Sequence, residues 1–419
     1  MHQSPPGPGP RVLHVAQPVD GGVARVVADL VRAQVAAGLR VAVACPGGEL
    51  ATAVRELPGV EVCDWRAGRS PGPGLPGEVR RLARLIEEVR PELVHAHSAK
   101  AGLAARLALR GRVPTVFQPH AWSFEAVTGP TAAVALRWER WGARWADRVL
   151  CVSEAERGTG ERAGIRAAYR VVPNGIDTAR FTPAGPGGGG SPHVVCVGRL
   201  CRQKGQDVLL RAWDTVRAAH PGARLTLVGD GPAHEVLRRS AHPSVHFAGA
   251  VTDVLPWYRA ADLVVLPSRW EGMALVPLEA QACGRPVVLT DVDGARESLP
   301  PAPAAPASTG PAPAGPIPPG PIPAGPIPPA PATLAPAAPA PAPAAPCLVP
   351  SEDPAALAAA VTALLADPAL RASLGDQGRR HVLSTHDVRH TAERIAALYR
   401  EVLGARPPVS IERRESIHS

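Results

Sequence analysis

Short apolar runs alternate with longer amphipathic stretches along most of the chain. Arg11–Gln17 has the apolar composition of a strand, and a Gly21-Gly22 turn leads into a helix predicted over Val23–Ala37. Further strand-like runs follow, most of them separated by helical sequence: VAVAC, VEVCDW, LVHAHS, PTVFQPH and RVLCVS. Continuous apolar strands that alternate with helices indicate a parallel sheet covered on both faces.

A second series of the same kind begins after the glycine-rich segment TPAGPGGGGSP. It contains HVVCVGRL, ARLTLVGDGP, VHFAG, DLVVLPS and RPVVLTD, again with helical sequence between strands. The pattern therefore predicts an α/β protein of two Rossmann-like domains facing across a cleft, where ligands of such sheets bind. We expect a first domain over 11–180, a linker over 181–192 and a second domain over 193–385.

One segment of the second domain breaks the alternation. Residues 300–346 contain 20 prolines and no charged residue, with GPIPP, GPIPA and GPIPP in tandem from Gly315. The period of five excludes a collagen helix, and the composition predicts a disordered or polyproline II insert. The segment could be a ligand for an SH3-like partner, a spacer or an inert repeat expansion, and all three interpretations stay open. Beyond it we expect a C-terminal helix over 386–403, which returns to the first domain, and a disordered tail over 404–419.

The net charge of +8 suits a protein that handles anions such as nucleoside diphosphates or lipid head groups. No basic stripe is interleaved with aromatic residues, so nucleic acid is not an expected partner. The seven scattered cysteines form no C-x-x-C pair and are expected to be free thiols. The first residues lack a signal-peptide layout and no stretch has the composition of a membrane span, which predicts a cytoplasmic protein.

The stretch Ser268–Arg285 carries the clearest candidate chemistry. A strand ends before it, a tight loop follows, and a helix is predicted to start near Pro277, whose missing N–H costs nothing there. A helix N-terminus that faces a cleft is a site for a diphosphate. Glu271 precedes this turn and Glu279 lies one turn into the helix, where two carboxylates would bracket a nucleotide sugar. A helix-surface pair and a loop charge are the structural alternative.

Together, eight motifs of this chain resemble those of the retaining glycosyltransferase family 4. The family has the GT-B fold of two facing Rossmann-like domains, and the resemblance covers nearly the whole chain apart from the proline-rich insert and the tails. In order, the motifs are Gly21-Gly22, HAHSAKAG at 95–102, PHAWSF at 119–124, ADRVLCVS at 146–153, VPNGID at 172–177, VGRLCRQKG at 197–205, GDGP at 229–232 and EGMALVPLEAQACG at 271–284.

The resemblance assigns roles to four charged residues of the second domain. Arg199 and Lys204 match the cations that clamp the donor diphosphate, where they would offset charge that grows on the leaving group. Glu271 matches the carboxylate that positions the donor sugar. Glu279 matches the one that holds the ribose.

Other roles follow from the same resemblance. The backbone amides of Met273, Ala274 and Leu275 would reach the phosphates, and Gly22 would let amides of the first domain approach the diphosphate. His120 matches the histidine beside the reacting face of the donor sugar, although a lone histidine is more often structural. Many family members have Phe-Gly where this chain has Met273-Ala274, which puts the geometry of that turn in question.

The implied activity is hexose or N-acetylhexosamine transfer with retention of configuration and without a metal. The implied donor is a nucleotide sugar, expected to be UDP-linked, and the acceptor a lipid-linked or cell-surface glycan precursor; no other cofactor is expected. Peripheral contact with the inner face of a membrane stays open. The alternatives are a non-hydrolysing nucleotide-sugar epimerase and a non-catalytic nucleotide-binding interaction protein; a dehydrogenase is disfavoured because GDGP lacks a third glycine.

Two further patterns have competing interpretations. Asp291-Val292-Asp293 spells a metal-binding D-x-D, but its place after a strand and before Gly294 is typical of turn and capping chemistry. Trp138, Trp141 and Trp145 share one helical face beside several arginines. This face suits either a membrane surface or docking against the protein's own core, and the second is favoured because the segment is short.

Overall fold

Two parallel sheets with helices on both faces form the protein, as the alternating pattern predicts. The computed structural model describes residues 9–184, 190–301 and 347–405. Part of the expected linker, nearly all of the proline-rich segment 300–346 and nearly all of the tail 404–419 lie outside the described residues. The prediction of an α/β protein built from two Rossmann-like units is confirmed.

The first sheet has seven parallel strands in the order β3-β2-β1-β4-β5-β6-β7. Its strands are β1 (Arg11–Ala16), β2 (Arg40–Cys45), β3 (Glu61–Asp64), β4 (Leu93–His97), β5 (Thr115–Gln118), β6 (Arg148–Cys151) and β7 (Tyr169–Val171). Its helices are α1 (Gly21–Ala36), α2 (Glu49–Arg55), α3 (Leu75–Val89), α4 (Ser98–Leu109), α5 (Gly129–Gly142) and α6 (Glu154–Arg162). Helix α1 thus starts at Gly21, two residues earlier than the glycine turn suggests.

The second sheet has six parallel strands in the order β10-β9-β8-β11-β12-β13. Its strands are β8 (His193–Val197), β9 (Arg224–Val228), β10 (Val245–Gly249), β11 (Leu263–Leu266), β12 (Val287–Thr290) and β13 (Leu348–Val349). Its helices are α7 (Gln206–Ala219), α8 (His234–Ser240), α9 (Leu255–Ala260), α10 (Leu275–Ala282), α11 (Pro354–Ala366) and α12 (Pro368–Thr385).

The core of each domain lies on both faces of its sheet. In β1, Leu13 and Val15 pack with α3 and α4, whereas Val12 and Ala16 face the α1 side. This alternation follows from the period of two along a strand, and it favours apolar residues on both faces of a covered strand, with the buried His14 as the exception in β1.

The last helix of the chain, α13 (Val388–Gly404), packs on the first domain. Ile395, Leu398 and Tyr399 share a buried cluster with strand residues of the first sheet, and α13 contacts α1. The chain crosses between domains just before this helix, where the His386 Nδ1 atom lies 2.9 Å from the Asn174 carbonyl oxygen. The C-terminal segment therefore ties the two domains together.

The sequence predicts that no segment spans a membrane and that the cysteines are free thiols. Within the described residues, no single helix is both long and apolar enough to cross a bilayer; α11 and α12 reach that level only jointly and are bent by 103°. All seven cysteines are free, and six of them are buried. Burial raises the pKa of the six buried thiols, for example that of Cys45 to about 11, so those six stay protonated and unreactive.

Candidate active site between the two domains

The loop between β11 and α10 brings Glu271 against a cation from the neighbouring loop. The Lys204 Nζ atom lies 2.5 Å from Glu271 Oε1, and Ser268 Oγ donates to the same oxygen at 2.7 Å. Lys204 reaches this point because Gly205 has a positive φ and packs on Pro267, whose carbonyl an added Cβ would meet at 2.0 Å. The two predicted site residues therefore form one ion pair at the carboxyl end of the second sheet.

Arg199 lies on the same β8–α7 loop as Lys204. Its carbonyl oxygen accepts a hydrogen bond from Gln206 Nε2 at 3.0 Å, and its guanidinium has no ion pair among the described residues. The Lys204 stem lies against Gly198, the residue before Arg199. Glu271 offsets the charge of Lys204, whereas the charge of Arg199 is not offset by an ion pair among the described residues. Arg199 can therefore bind an anion.

Glu279 is buried and bound from both domains. Arg25 Nη1 of helix α1 donates to Glu279 Oε1 at 2.5 Å, and Tyr258 OH donates to Oε2 at 2.6 Å. The Glu279 side chain is only 1% exposed, while that of Arg25 is 32% exposed. Glu279 therefore joins the two domains, and a ribose hydroxyl at the predicted position would share this carboxylate with Arg25 and Tyr258.

The turn before helix α10 needs no left-handed residue. Helix α10 starts at Leu275, two residues before Pro277, and its N-cap Ala274 is extended with φ −73° and ψ 146°. Met273 is not among the residues with positive φ, and its carbonyl accepts a hydrogen bond from Asn174 Nδ2 at 2.8 Å. The Met273-Ala274 departure from Phe-Gly therefore causes no backbone strain here.

The glycine pair after the first strand has one residue in the left-handed region. The positive φ of +71° belongs to Gly21, and an added Cβ at Gly22 would meet no atom of the described residues within 4 Å. Protein contacts therefore do not require glycine at position 22, and its role towards a diphosphate stays a prediction.

A strained turn carries His120. Both His120 and Ala121 have positive φ, 57° and 93°, a conformation that costs about 1–3 kcal/mol for each non-glycine residue. Glu156 holds the turn, because its carboxylate accepts hydrogen bonds from the backbone N–H groups of Ala121 at 2.6 Å and Val152 at 2.7 Å. Strain that the surroundings maintain in this way is typical of functional sites.

The His120 turn lies against the Glu271 loop. An added Cβ at Gly272 would be 2.9 Å from the Ala121 nitrogen and 3.0 Å from Glu156 Oε1. Ser153 Oγ also donates to the Gly272 carbonyl at 2.9 Å. Gly272 is thus the point at which the predicted residues of the two domains meet, and a larger residue there would push the domains apart.

The D-x-D residues have separate partners. Asp291 pairs with Arg296, whereas Asp293 accepts a hydrogen bond from Thr159 of the first domain at 2.6 Å. One carboxylate thus serves a local ion pair and the other an interdomain contact.

Sequence reasoning missed the partners that hold the site. Arg25, Tyr258 and Glu156 were not singled out, yet they bind Glu279 and the His120 turn. Arg25 follows the Gly21-Gly22 pair by three residues, so its place near the start of the helix can be predicted from the sequence. Its partner Glu279, 254 positions away, cannot.

Glu125, five residues after His120, gives a prediction of how the free energy of unfolding depends on pH. Burial raises the pKa of Glu125 from 4.5 to about 7, while its hydrogen bond from Trp122 N–H acts in the opposite direction. Between pH 4.5 and 7 the unfolded chain loses this proton and the folded protein keeps it, so the free energy of unfolding falls as pH rises and levels off above 7. Glu125→Gln should remove this contribution, and its stability advantage over the wild type should grow from pH 5 to 7.

Urea denaturation at pH 5, 6, 7 and 8 measures the difference. The charge of Glu125 also helps to raise the pKa of Glu156, so the difference between the two proteins reports the Glu125 proton together with this coupling. Parallel stability curves for the two proteins would contradict the prediction.

Comparison with known proteins identifies the class that this fold and site define. The profile of Glycosyltransferase Family 4 matches residues 20–180, that of Glycosyl transferases group 1 matches 191–303, and that of Glycosyl transferase-like proteins matches 343–397. Glycosyltransferase models thus match most of both domains, and the model that matches the first domain is that of family 4, as the motifs predict.

Individual relatives agree with this family. The chain is 36% identical over 245 residues to the GDP-mannose-dependent alpha-(1-6)-phosphatidylinositol monomannoside mannosyltransferase of Mycobacterium tuberculosis, an alignment that covers 52% of this chain and 63% of the relative. It is 28% identical over 240 residues to the UDP-Gal:alpha-D-GlcNAc-diphosphoundecaprenol alpha-1,3-galactosyltransferase of Escherichia coli, covering 51% and 61%. The chain thus spans less than two thirds of the length of either relative.

Solved structures share the fold over almost the whole chain. Sucrose-phosphate synthase from Thermosynechococcus elongatus superposes with a TM-score of 0.72 at 23% identity, covering 95% of this chain and 100% of that one. HepE from Anabaena, solved in complex with UDP and glucose, superposes with a TM-score of 0.71 at 21% identity, covering 94% and 100%. The GT-B architecture of two facing Rossmann-like domains is therefore confirmed.

Proposed function

We propose that the protein is a retaining glycosyltransferase that moves a hexose from a nucleoside diphosphate sugar to a hydroxyl of a glycan or lipid-linked acceptor. One observation supports this most: Lys204 and Glu271 pair on one side of the cleft, and the strained His120 turn packs on Gly272 from the other. A sugar diphosphate placed between them would meet a cation, a carboxylate and an imidazole.

The leaving group accounts for most of the proposed chemistry. The bond between the sugar C1 and the phosphate oxygen breaks, and the acceptor oxygen bonds to C1 from the face that the nucleotide leaves. The departing phosphate takes the acceptor's proton, which balances the step without a separate carboxylate base. Arg199, Lys204 and the N-terminus of α10 would stabilise the negative charge on that phosphate, where electrostatic stabilisation is largest.

Two donors stand as candidates. The motifs predict a UDP-linked sugar, and the galactosyltransferase relative from Escherichia coli is named for UDP-Gal. The mannosyltransferase relatives of this chain, which are 36% identical, are named as GDP-mannose-dependent. Higher identity favours GDP-mannose, so we propose it as the first donor to test, with UDP-hexoses second.

The acceptor proposal rests on the relatives as well. They are named for phosphatidylinositol mannoside, diphosphoundecaprenol and lipopolysaccharide core substrates. We propose an amphiphilic or surface-glycan acceptor and a protein that acts in the cytoplasm at the inner face of a membrane. The cluster of Trp138, Trp141 and Trp145 suits such a surface only in part, since Trp141 alone is 43% exposed and the rings pack on one another.

Donor hydrolysis and product analysis test the proposal. GDP-mannose, UDP-glucose and UDP-galactose are incubated with the protein, with and without EDTA, and products are followed by NMR of the anomeric proton. Release or transfer of an α-configured sugar from an α-linked donor, unaffected by EDTA, is expected. A β-configured first product would overturn retention, an EDTA-sensitive rate would overturn metal independence, and conversion to a 2-epimer would identify an epimerase.

The ribose role of Glu279 has its own test. Hydrogen bonds to a charged group contribute about 1.5–3 kcal/mol, so removing a ribose hydroxyl should weaken binding about 10- to 100-fold in the wild type. We expect Kd for GDP and UDP to rise by this factor for their 2′- or 3′-deoxy forms, measured by calorimetry. In Glu279→Gln the deoxy penalty should shrink to a few-fold.

This double comparison separates recognition from general damage. Glu279→Gln also weakens the Arg25 ion pair, but that loss applies equally to the ribose and deoxyribose ligands. A deoxy penalty that is the same in both proteins would place the ribose elsewhere.

A further inference from the structure

Three buried histidines lie directly behind His120. His14 of β1 is paired in register with His95 of β4, and His97 follows two residues later on the same face of the sheet. All three are fully buried, at 0% exposure. Histidines are rarely grouped in a core, because each ring brings two polar nitrogens that need partners.

Hydrogen bonds join these rings to the candidate site in one continuous chain. Gln34 Oε1 lies 2.8 Å from His14 Nε2, His14 Nδ1 lies 2.9 Å from His97 Nε2, and His97 Nδ1 lies 3.2 Å from His120 Nε2. His14 and His97 use both of their nitrogens in this chain. Gln34 on helix α1 and His120 in the strained turn are its two ends.

Burial keeps every ring in this chain neutral. It lowers the pKa of His14 to about 4 and that of His120 to about 3, and it lowers the pKa of His97 well below its ordinary value. A neutral imidazole has one N–H and one bare nitrogen, so each ring must donate on one side and accept on the other. The three hydrogen bonds of this chain therefore all run in the same direction from donor to acceptor.

The Gln34 amide sets that direction. Its Nε2 donates to Tyr399 OH at 3.3 Å, which turns its Oε1, a pure acceptor, towards His14. His14 must then carry its proton on Nε2, His97 on Nε2 and His120 on Nε2. His120 Nδ1 is left as a bare nitrogen, with no hydrogen-bond partner among the described residues.

We propose that Gln34, His14 and His97 are positioning residues that hold His120 in its Nε2–H tautomer and offer its Nδ1 lone pair to a hydroxyl of the bound sugar. The tautomer itself is independent of the proposed function, whereas the sugar contact depends on it. A fixed acceptor at this point orients one hydroxyl, which donates its proton to Nδ1. The strained His120 turn, held by Glu156, fixes the ring from the other side.

A metal site is the competing use of the cluster. Nitrogens of His14, His95 and His97 lie within 4.8 Å of one another, and imidazole is a common ligand of zinc. The direct hydrogen bond between His14 and His97 places their nitrogens 2.9 Å apart and facing each other, so an ion would have to break it. The neutral relay fits the observed distances without any rearrangement.

Histidine NMR reads the tautomer directly. The full chain is labelled with ¹⁵N-histidine, and long-range ¹H–¹⁵N spectra of the ligand-free protein are recorded at pH 7. His120 is assigned by its loss in His120→Asn. We expect His120 as a single Nε2–H tautomer in the wild type, and averaging between both tautomers in His97→Leu. His97→Gln should restore the single tautomer, because an amide also donates on one side and accepts on the other.

His95→Leu is the matched control. His95 shares the burial of His97, but its Nδ1 bonds Tyr399 OH at 2.6 Å and no hydrogen bond joins it to His14, His97 or His120 among the described residues. This variant should leave the His120 tautomer unchanged. If His97→Leu does not fold, Gln34→Met breaks the relay three links away and should cause the same averaging.

Kinetics connect the tautomer to the sugar. His97→Leu should lower kcat for hydrolysis of the donor identified above about tenfold, the value of one hydrogen bond, with rescue in His97→Gln. An Nδ1–H or averaged His120 in the wild type, an unchanged tautomer in both relay variants, or stoichiometric Zn²⁺ binding that shifts all three buried rings would overturn the proposal. If no donor is hydrolysed while the tautomers behave as expected, the proposed function fails and the relay stands.

Discussion

Replacing Glu271 by glutamine is expected to lower turnover of the donor sugar about 10²–10³-fold, the range seen when one preorganised electrostatic contact is lost. Glu271 is almost buried, and its Oε1 accepts from both Lys204 and Ser268. Glutamine keeps the shape and an oxygen that can accept from Lys204, but it removes the negative charge that pairs with the ammonium. The measurement is kcat and KM for donor hydrolysis, with Tm as the check on folding.

Glu235→Gln is the control for this change. Glu235 lies on α8 of the same domain with its side chain 73% exposed, and the chemical substitution is identical. Its activity should stay within twofold of the wild type, because an exposed ion pair contributes about 0–1 kcal/mol. Retention of more than a tenth of wild-type turnover in Glu271→Gln would exclude Glu271 from the reaction and favour the scaffold alternative.

Lys204→Met should produce the second large effect, in both binding and turnover. The variant loses an ammonium beside the proposed diphosphate and leaves the Glu271 carboxylate without its cation. An unpaired carboxylate would repel the phosphates, so Kd for a nucleoside diphosphate should rise about 10- to 100-fold. Turnover should fall about 10²–10³-fold further, since the leaving phosphate carries the growing charge. Calorimetry and initial rates measure the two quantities.

A double-mutant cycle sharpens this prediction. Arg199→Met should weaken binding in the same direction, and the pair of substitutions should be non-additive because both cations face one diphosphate. Arg239→Met, on an exposed helix with its side chain 79% exposed, controls for the loss of one positive charge. Strict additivity of Arg199 and Lys204, or equal losses in Arg239→Met, would mean that net charge and not a local clamp attracts the ligand.

Several hydrogen bonds join the two domains across the cleft. Arg25 binds Glu279, Asn174 binds the Met273 carbonyl, and the Glu297 carboxylate accepts hydrogen bonds from the first two N–H groups of α6. Among these contacts, the Arg25 ion pair holds the carboxylate that we propose for the ribose. A nucleotide bound as proposed would share or replace this interdomain contact, which would link donor affinity to the relative position of the two domains.

The positions of the strands and helices were readable from the residues themselves. Buried parallel strands need apolar side chains on both faces, so runs such as Val12–Ala16 and Leu263–Leu266 stand out without any neighbour. Helix boundaries were shifted by two residues at Gly21 and Leu275, because capping geometry depends on backbone conformation that several residue types adopt. The carboxyl ends of strands also predicted where Arg199, Lys204, Glu271 and His120 lie.

By itself, then, the sequence determined the two parallel sheets, their order along the chain and the edge at which the chemistry is placed, because these depend on local periodicity and on short motifs. Only the tertiary structure decided which charges meet: Lys204 with Glu271 over 67 positions, Arg25 with Glu279 over 254, and the histidines that connect His14 to His120. Such partners are selected by packing between distant segments, and pairwise contacts over that separation leave no period in the chain for a reader to detect.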